Sequence, residues 1–316
     1  MEEKQLPIYE YVLFSSKRSC GSKLNFMGKV YEVKELKENS FDEGFDFALF
    51  SAGGDVSKKF APIAASKGCV VIDNSSAFRM DNKVPLIVPE VNPEEIQNHN
   101  GIIANPNCST IQAVVALKPL DDKYGIKRIV YSTYQAVSGA GSKGIADLEN
   151  GICNFENNSN YSLQKFPYPI FNNCLPHIDV FLENGYTKEE EKMINETRKI
   201  LNKPDLRITA TTVRVPVLNS HSESINVEFE KDFDLDELKD LLKHSPGIIL
   251  QDDISNNIYP IATEATGHDD VFVGRIRRDK SVESGVNLWV VSDNIRKGAA
   301  SNAVQILENL INFDNK

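Results

Sequence analysis

The sequence predicts an α/β chain: a parallel sheet with flanking helices, followed by a second domain of α+β texture. Three observations carry this. Short apolar strands alternate with helices up to about residue 108. Beyond the helix that starts there, longer strands follow one another with fewer helices between them. The chain has 316 residues, enough for two domains, and 41% of them are hydrophobic.

Each element has its own signal. "YEYVLFSS" (9–16) reads as a strand, and "KLNFMGKVYEV" (23–33) as a hairpin turning at Gly28. "FDFALFSAGG" (45–54) is a buried strand ending in two glycines. "DVSKKFAPIAASKG" (55–68) is a helix that stops at Gly68, and "CVVIDNSS" (69–76) is a further strand. "IIANPNCSTIQAVVAL" (102–117) reads as a strand, an Asn-Pro-Asn turn and an apolar helix with Cys108 at its start. In the second part, strands are predicted at 126–139, 207–218, 224–230 and 282–293. A closing helix at 298–311 could return to the first domain.

Composition narrows the function. The net charge of −10 argues against a nucleic-acid or anionic-membrane surface, but leaves room for a small anionic substrate held by a few local cations. The five cysteines are widely spaced and include no C-x-x-C pair. A disulfide scaffold and a zinc site are therefore not expected, and no metal is. No apolar run is long enough to span a membrane, and the first residues do not form a signal peptide. The expected location is the cytoplasm.

Cys108 is the first candidate for chemistry. A thiol at a helix N-terminus meets unpaired backbone N–H groups and the positive end of the dipole, both of which favour thiolate. The same groups can hold an oxyanion or phosphate. A buried structural cysteine is the commoner fate of a lone thiol. A nucleophile needs a proton acceptor, and His99, His177, His221, His244 and His268 are the histidines available. His221 follows a strand in a short polar turn, His244 sits on an amphipathic solvated helix, and His177 could be merely packed. Spacing does not choose between them. Arg214, mid-strand, either covers apolar surface or offers its fork to a carboxylate. Glu189 and Lys192 share a helix face, which is ordinarily just solvated. "YQAVSGAG" (134–141) ends a strand in small residues after Gln135. "SSKRSCGSK" (15–23), at a strand end, could bind a 2′-phosphate or be an ordinary polar loop.

Taken together, "FSSKRSCGSKL", "SAGGDVS", "IDNSSAFRMDNKVPLIVPEVN", "NPNCST", "YQAVSGAG", "KEEEKMINETRKIL", "RVPVLNSHS" and "DNIRKGAA" occur in the order found in aspartate-semialdehyde dehydrogenases. The chain resembles that family over almost its whole length. The resemblance implies a Rossmann-type dinucleotide-binding domain at 1–108, rejoined by 294–316, and a catalytic and dimerisation domain at 109–293. It implies Cys108 as nucleophile, His221 as acid/base and Gln135 as the residue orienting substrate. Arg214 and Glu189 would grip the carboxylate and ammonium of the aspartyl group, and Arg79, Asn107 and Lys192 the phosphate. NADP would be held by Arg18 and Ser19 at its 2′-phosphate, with Ser138 and Gly139 near the nicotinamide and Asn294 at the cofactor too. The implied reaction reduces aspartyl phosphate to aspartate semialdehyde and phosphate through a Cys108 thioester, in a homodimer. A rival within the class reduces N-acetylglutamyl phosphate. Glu189 argues against it, because an acylated amine needs no carboxylate.

The resemblance departs at the front. The family opens with a strand and a G-x-x-G-x-x-G phosphate loop, and neither stands before residue 11 here. Either the start codon is assigned too late or the form is truncated and impaired. A polypeptide of these residues alone is expected to bind NADP weakly. A non-enzymatic remnant that binds substrate-like anions or pairs with an intact subunit is the alternative, and a Cys108/His221 hydrolase is a third.

Overall fold

The computed structural model describes residues 1–157 and 161–314, with side chains up to residue 312. In chain order, the first elements are β1 (Phe14–Ser15), β2 (Lys23–Phe26), β3 (Lys29–Glu32), β4 (Lys34–Glu35), β5 (Phe47–Phe50), α1 (Gly54–Ser66), β6 (Val70–Asp73) and β7 (Ile102–Ala104). Then come α2 (Cys108–Tyr124), β8 (Ile126–Gln135), α3 (Ser142–Asn157), α4 (Lys188–Ile200), β9 (Arg207–Arg214) and β10 (His221–Phe229). The last are α5 (Leu235–Lys243), β11 (Ile248–Leu250), α6 (Ala262–Ala265), β12 (Val271–Asp279), β13 (Gly285–Ser292) and α7 (Ser301–Asp314).

The chain forms two compact units. The first comprises Met1–Pro85, Glu94–Asn105 and Ala303–Lys316, the second Leu86–Pro93 and Pro106–Asn302. Cys108 thus belongs to the second unit, where α2 packs on β8, β10 and β13.

In the first unit the strands form two separate parallel ladders, β1–β4 and β5–β6–β7. The β2–β3 hairpin stands apart and turns at Met27 and Gly28, with φ of 52° and 71°. Two successive left-handed residues give a turn whose twist matches that of the strands. Gly68, at φ 86°, ends α1 as its position predicts.

The second unit is built on a six-stranded sheet in the order β11-β12-β13-β10-β8-β9. β10 lies between β8 and β13, antiparallel to both. β9 runs parallel to β8, pairing Gln135 with Arg214. Every second residue of β10 is buried, from His221 to Phe229, so one face of the strand lies under helices. α2 is buried nearly all round from Ser109 to Leu117, as an apolar helix with no solvent face must be. Its N-cap is Asn107, whose side chain accepts from the Ser109 and Thr110 N–H groups, and Gly125 closes it at φ 71°. α4 begins with a capping box between Thr187 and Glu190. Among the described residues, no helix is long and apolar enough to cross a membrane.

Candidate active site

In the second unit the C-terminal end of β8, the first turns of α2 and α4, the end of β9 and the start of β10 bring together Asn107, Gln135, Glu189, Lys192, Arg214 and His221. Cys108 joins them as the first residue of α2. Its partly open position contrasts with Ser109 and Thr110, which are buried.

Glu189 is the hub. Its Oε1 accepts from Asn107 Nδ2 at 2.9 Å and from Gln135 Nε2 at 3.2 Å, and its Oε2 from Lys192 Nζ at 3.0 Å. Burial alone would raise its pKa, but Lys192, Asn107 and Gln135 hold it below the usual carboxylate range. The face expected to be solvated is therefore enclosed, with Glu189 5% exposed. Lys192 also donates to Asp179 Oδ2 at 2.8 Å. Gln135 takes the Thr133 hydroxyl at 3.0 Å on its amide oxygen, which fixes the amide orientation.

Arg214 is buried and donates to the Ala136 carbonyl, with its guanidinium 5.9 Å from the centre of the Phe166 ring. Burial draws its pKa down, while Glu189 and Cys108 oppose the shift. His221 is fully buried. Its Nδ1 accepts the Ala136 N–H at 3.0 Å, so the proton of the neutral ring sits on Nε2. Nε2 meets no hydrogen-bond partner among the described residues. Burial, then Arg214, brings the imidazole pKa down to about 3, so the ring is neutral throughout the physiological range. A Cβ on Gly139 would come within 3.1 Å of both Arg214 Nη1 and His221 Cε1. That glycine is therefore the wall against which both side chains rest.

The remaining expected residues fall in two places. Ser138 and Asn294 bond each other at 3.2 Å, and Asn294 Oδ1 also takes the Ser220 N–H at 2.9 Å, which ties down the residue before β10. Arg18, Ser19 and Arg79 belong to the first unit. Arg18 is exposed in the turn after β1, beside Ser19, whose N–H bonds the Ser16 carbonyl at 3.0 Å. Arg79 donates to the Asn105 and Asn74 carbonyls at 2.9 and 3.0 Å. Among the other histidines, His177 stacks on Phe181 at 4.3 Å and His244 caps α5 in solvent.

Several supporting residues escaped the sequence reading. Glu196 Oε2 accepts the Asn107 N–H at 2.7 Å and so anchors the N-cap of α2. Asp147 is fully buried and accepts the N–H groups of Gln164, Lys165 and Phe166, which sets the loop carrying the ring against Arg214. Arg296–Ala300 form a π-turn ahead of α7, and a Cβ on Gly298 there would stand 2.8 Å from Cys108 Cβ. Among the described residues there is no group of three or more His, Cys, Asp and Glu that could hold a metal.

Comparison with known proteins identifies the class. The family model "Semialdehyde dehydrogenase, NAD binding domain" matches residues 1–99, and "Semialdehyde dehydrogenase, dimerisation domain" matches residues 117–297. Aspartate-semialdehyde dehydrogenase of Aquifex aeolicus is 58% identical over 98% of this chain and 92% of its own length. The crystal structure of aspartate semialdehyde dehydrogenase II of Vibrio cholerae, complexed with ASA, superposes with a TM-score of 0.93 at 48% identity, covering 98% of this chain and 92% of the other. That of the Candida albicans enzyme with NADP gives 0.75 at 25% identity, covering 97% and 92%. The chain belongs to the aspartate-semialdehyde dehydrogenase family. It is an oxidoreductase acting on an aldehyde, in amino-acid biosynthesis, with a Rossmann-type domain for a nicotinamide dinucleotide.

Proposed function

We propose that the chain interconverts L-aspartyl 4-phosphate and L-aspartate 4-semialdehyde with NADP, through a thioester on Cys108, in the cytoplasmic synthesis of lysine (by way of diaminopimelate), threonine and methionine. The observation that carries this is Cys108 as the first residue of an apolar helix whose N-cap, Asn107, is bonded to the Glu189 hub. The positive end of the helix dipole and the nearby Arg214 charge favour the thiolate.

The thiolate of Cys108 adds to the aldehyde carbon, forming a C–S bond and moving the carbonyl electron pair to oxygen. His221 presents Nε2–H, so its role is to hold that oxyanion by donation and, once the carbon has lost its hydride to the nicotinamide that NADP would supply, the thioester carbonyl oxygen. To accept a hydroxyl proton at Nε2, as the acid/base role requires, the ring would first have to give up the Ala136 bond. Phosphate oxygen attacks the thioester, the C–S bond breaks, and the thiolate returns to the helix N-terminus. In the opposite direction the thiolate attacks the acyl phosphate and expels phosphate. Gln135 would orient the acyl group, Arg214 and Glu189 would take the α-carboxylate and ammonium, and Arg79, Asn107 and Lys192 the phosphate. Mass spectrometry of the chain incubated with NADP and the semialdehyde, without phosphate, should find the aspartyl mass on the peptide containing Cys108. Label on another residue, or none while cofactor is reduced, would count against the thioester.

The donor set fits NADP. The turn after β1 offers Arg18, Ser19 and Lys17 and no carboxylate, which suits a 2′-phosphate rather than free ribose hydroxyls. A similar structure is described with NADP. Ser138, Gly139 and Asn294 would border the nicotinamide, which when bound supplies the hydride chemistry. Arg18→Ala should lower the preference for NADP over NAD, measured as the ratio of kcat/KM values, and an unchanged ratio would remove Arg18 from the cofactor site.

A homodimer is the proposed assembly. On one face of the second unit's sheet Tyr134 is 39% exposed, and Tyr259, in the loop ahead of α6 beside it, is 41% exposed, a poor surface to leave in water. Light scattering at micromolar concentration should give twice the chain mass, and a monomer there would rule the assembly out.

A further inference from the structure

Glu223 takes no part in the chemistry above, yet it stands two residues after His221 on the same buried face of β10. It is 0% exposed. Thr133 of β8 and Val290 of β13 are its cross-strand neighbours. The groups that act on it are the Gln112 amide from α2 and the Glu189 carboxylate from α4, and it in turn acts on the Tyr131 phenol of β8. No lysine or arginine is among them. An ionised carboxylate in that place would be a buried charge without a partner, which proteins avoid by neutralising the group.

The hydrogen bonds point the same way. Gln112 Nε2 donates to the His221 carbonyl at 3.3 Å. A carbonyl only accepts, so it fixes which end of the amide is nitrogen. That leaves Gln112 Oε1 toward the remaining space, and it meets no donor. Among the described residues, neither oxygen of Glu223 meets one in hydrogen-bonding geometry. One proton, carried on Glu223 and given to Gln112 Oε1, accounts for that oxygen and for one of the two on Glu223. Burial first, and Glu189 after it, push the pKa of Glu223 well above the carboxylate range, with Gln112 opposing.

We propose that Glu223 stays a neutral carboxylic acid under working conditions and is a positioning residue, its O–H fixing Gln112 and, through it, the main chain of His221. Gln112 lies one turn beyond Cys108 on the same face of α2. The pair Glu223–Gln112 is therefore a second cross-link between the strand of the histidine and the helix of the thiol, parallel to the reacting pair. Its neutrality also matters. A second carboxylate beside Glu189 would draw a proton onto His221 and set that ring against the Ala136 N–H.

Infrared difference spectra of the purified chain, wild type minus Glu223→Gln, test the protonation without any turnover. They should contain the C=O stretch of a protonated acid from roughly pH 6 to pH 8. The kinetic arm rests on the aspartyl-thioester reading. Glu223→Gln, which can still donate to Gln112, should keep kcat within about twofold and leave the pH profile unmoved. Glu223→Met, of similar size but without a donor, should lower kcat on the order of tenfold at nearly constant KM, as expected for a displaced imidazole. A carboxylate band at neutral pH overturns the proposal. So does a Glu223→Gln enzyme as impaired as Glu223→Met, or a Glu223→Met enzyme as active as wild type. Should Glu223→Met not fold, the infrared band and Glu223→Gln decide. If the wild type fails to turn over aspartyl substrates, the thioester reading falls and the infrared result still stands or fails alone.

Discussion

Cys108→Ala is expected to abolish turnover in both directions while leaving the fold intact. Alanine is the best helix former, and position 108 opens a helix whose cap is made by the Asn107 side chain, not by the thiol. The circular dichroism spectrum and thermal midpoint should therefore stay close to wild type. Activity should fall to background because the neighbouring hydroxyls that could take over the acyl chain, Ser109 and Thr110, are buried behind the helix start. Cys108→Ser is expected to be nearly as inactive. A helix N-terminus that favours a thiolate does little for a hydroxyl, whose pKa lies far higher. Turnover by Cys108→Ala above a few per cent of wild type would mean that the acyl group is carried elsewhere.

The second large effect is expected from a single methyl group. Gly298→Ala would place Cβ 2.8 Å from Cys108 Cβ and 3.3 Å from Cys108 Cα. Carbon atoms do not approach so closely, and the neighbour is the first turn of a buried helix, not the free end of a side chain. Either the π-turn moves away or the Cys108 turn does. A displacement of about 1 Å at a reacting atom can lower the rate on the order of 10²-fold. Iodoacetamide labelling of Cys108 should slow as well, while far-ultraviolet circular dichroism remains unchanged. Wild-type kcat in Gly298→Ala would show that the Cys108 turn takes up the methyl group without moving the thiol.

The sequence made the helix of Cys108 legible because two signals coincide, an Asn-Pro-Asn turn and an unbroken apolar run. The β2–β3 hairpin was equally plain at Gly28. β10 was harder. Its predicted start was residue 224, whereas the strand begins at His221. The cause lies in its buried face, where the first two positions are His221 and Glu223. Alternation of apolar and polar residues cannot reveal a strand whose inward side chains are polar, and those are the positions where chemistry is placed. Glu196, Asp147 and Gly298 were invisible for another reason. Each acts on a group far away in the chain, such as the Asn107 N–H met by Glu196 across 89 residues. Local spacing carries no record of such a meeting. Arg79, Arg18 and Ser19 came from the resemblance and not from any pattern of their own.

The saturation of Glu189 has a consequence for how a ligand enters. Its two oxygens already serve three donors, one of them the Lys192 ammonium. An incoming amino group does not add an ion pair there but exchanges with one. On the proposed role of Glu189, arrival of the substrate's ammonium would release Lys192 from it toward whatever anion comes with it, so the two ends of the substrate would be read as one event. Because charges are swapped and not newly paired, the affinity for the amino end should depend only weakly on ionic strength. A ligand with the anion but no ammonium would find Lys192 still engaged by Glu189, and one with the ammonium but no anion would leave Lys192 to Asp179 alone. On that reading, discrimination against fragments of the substrate would already be present in the resting arrangement.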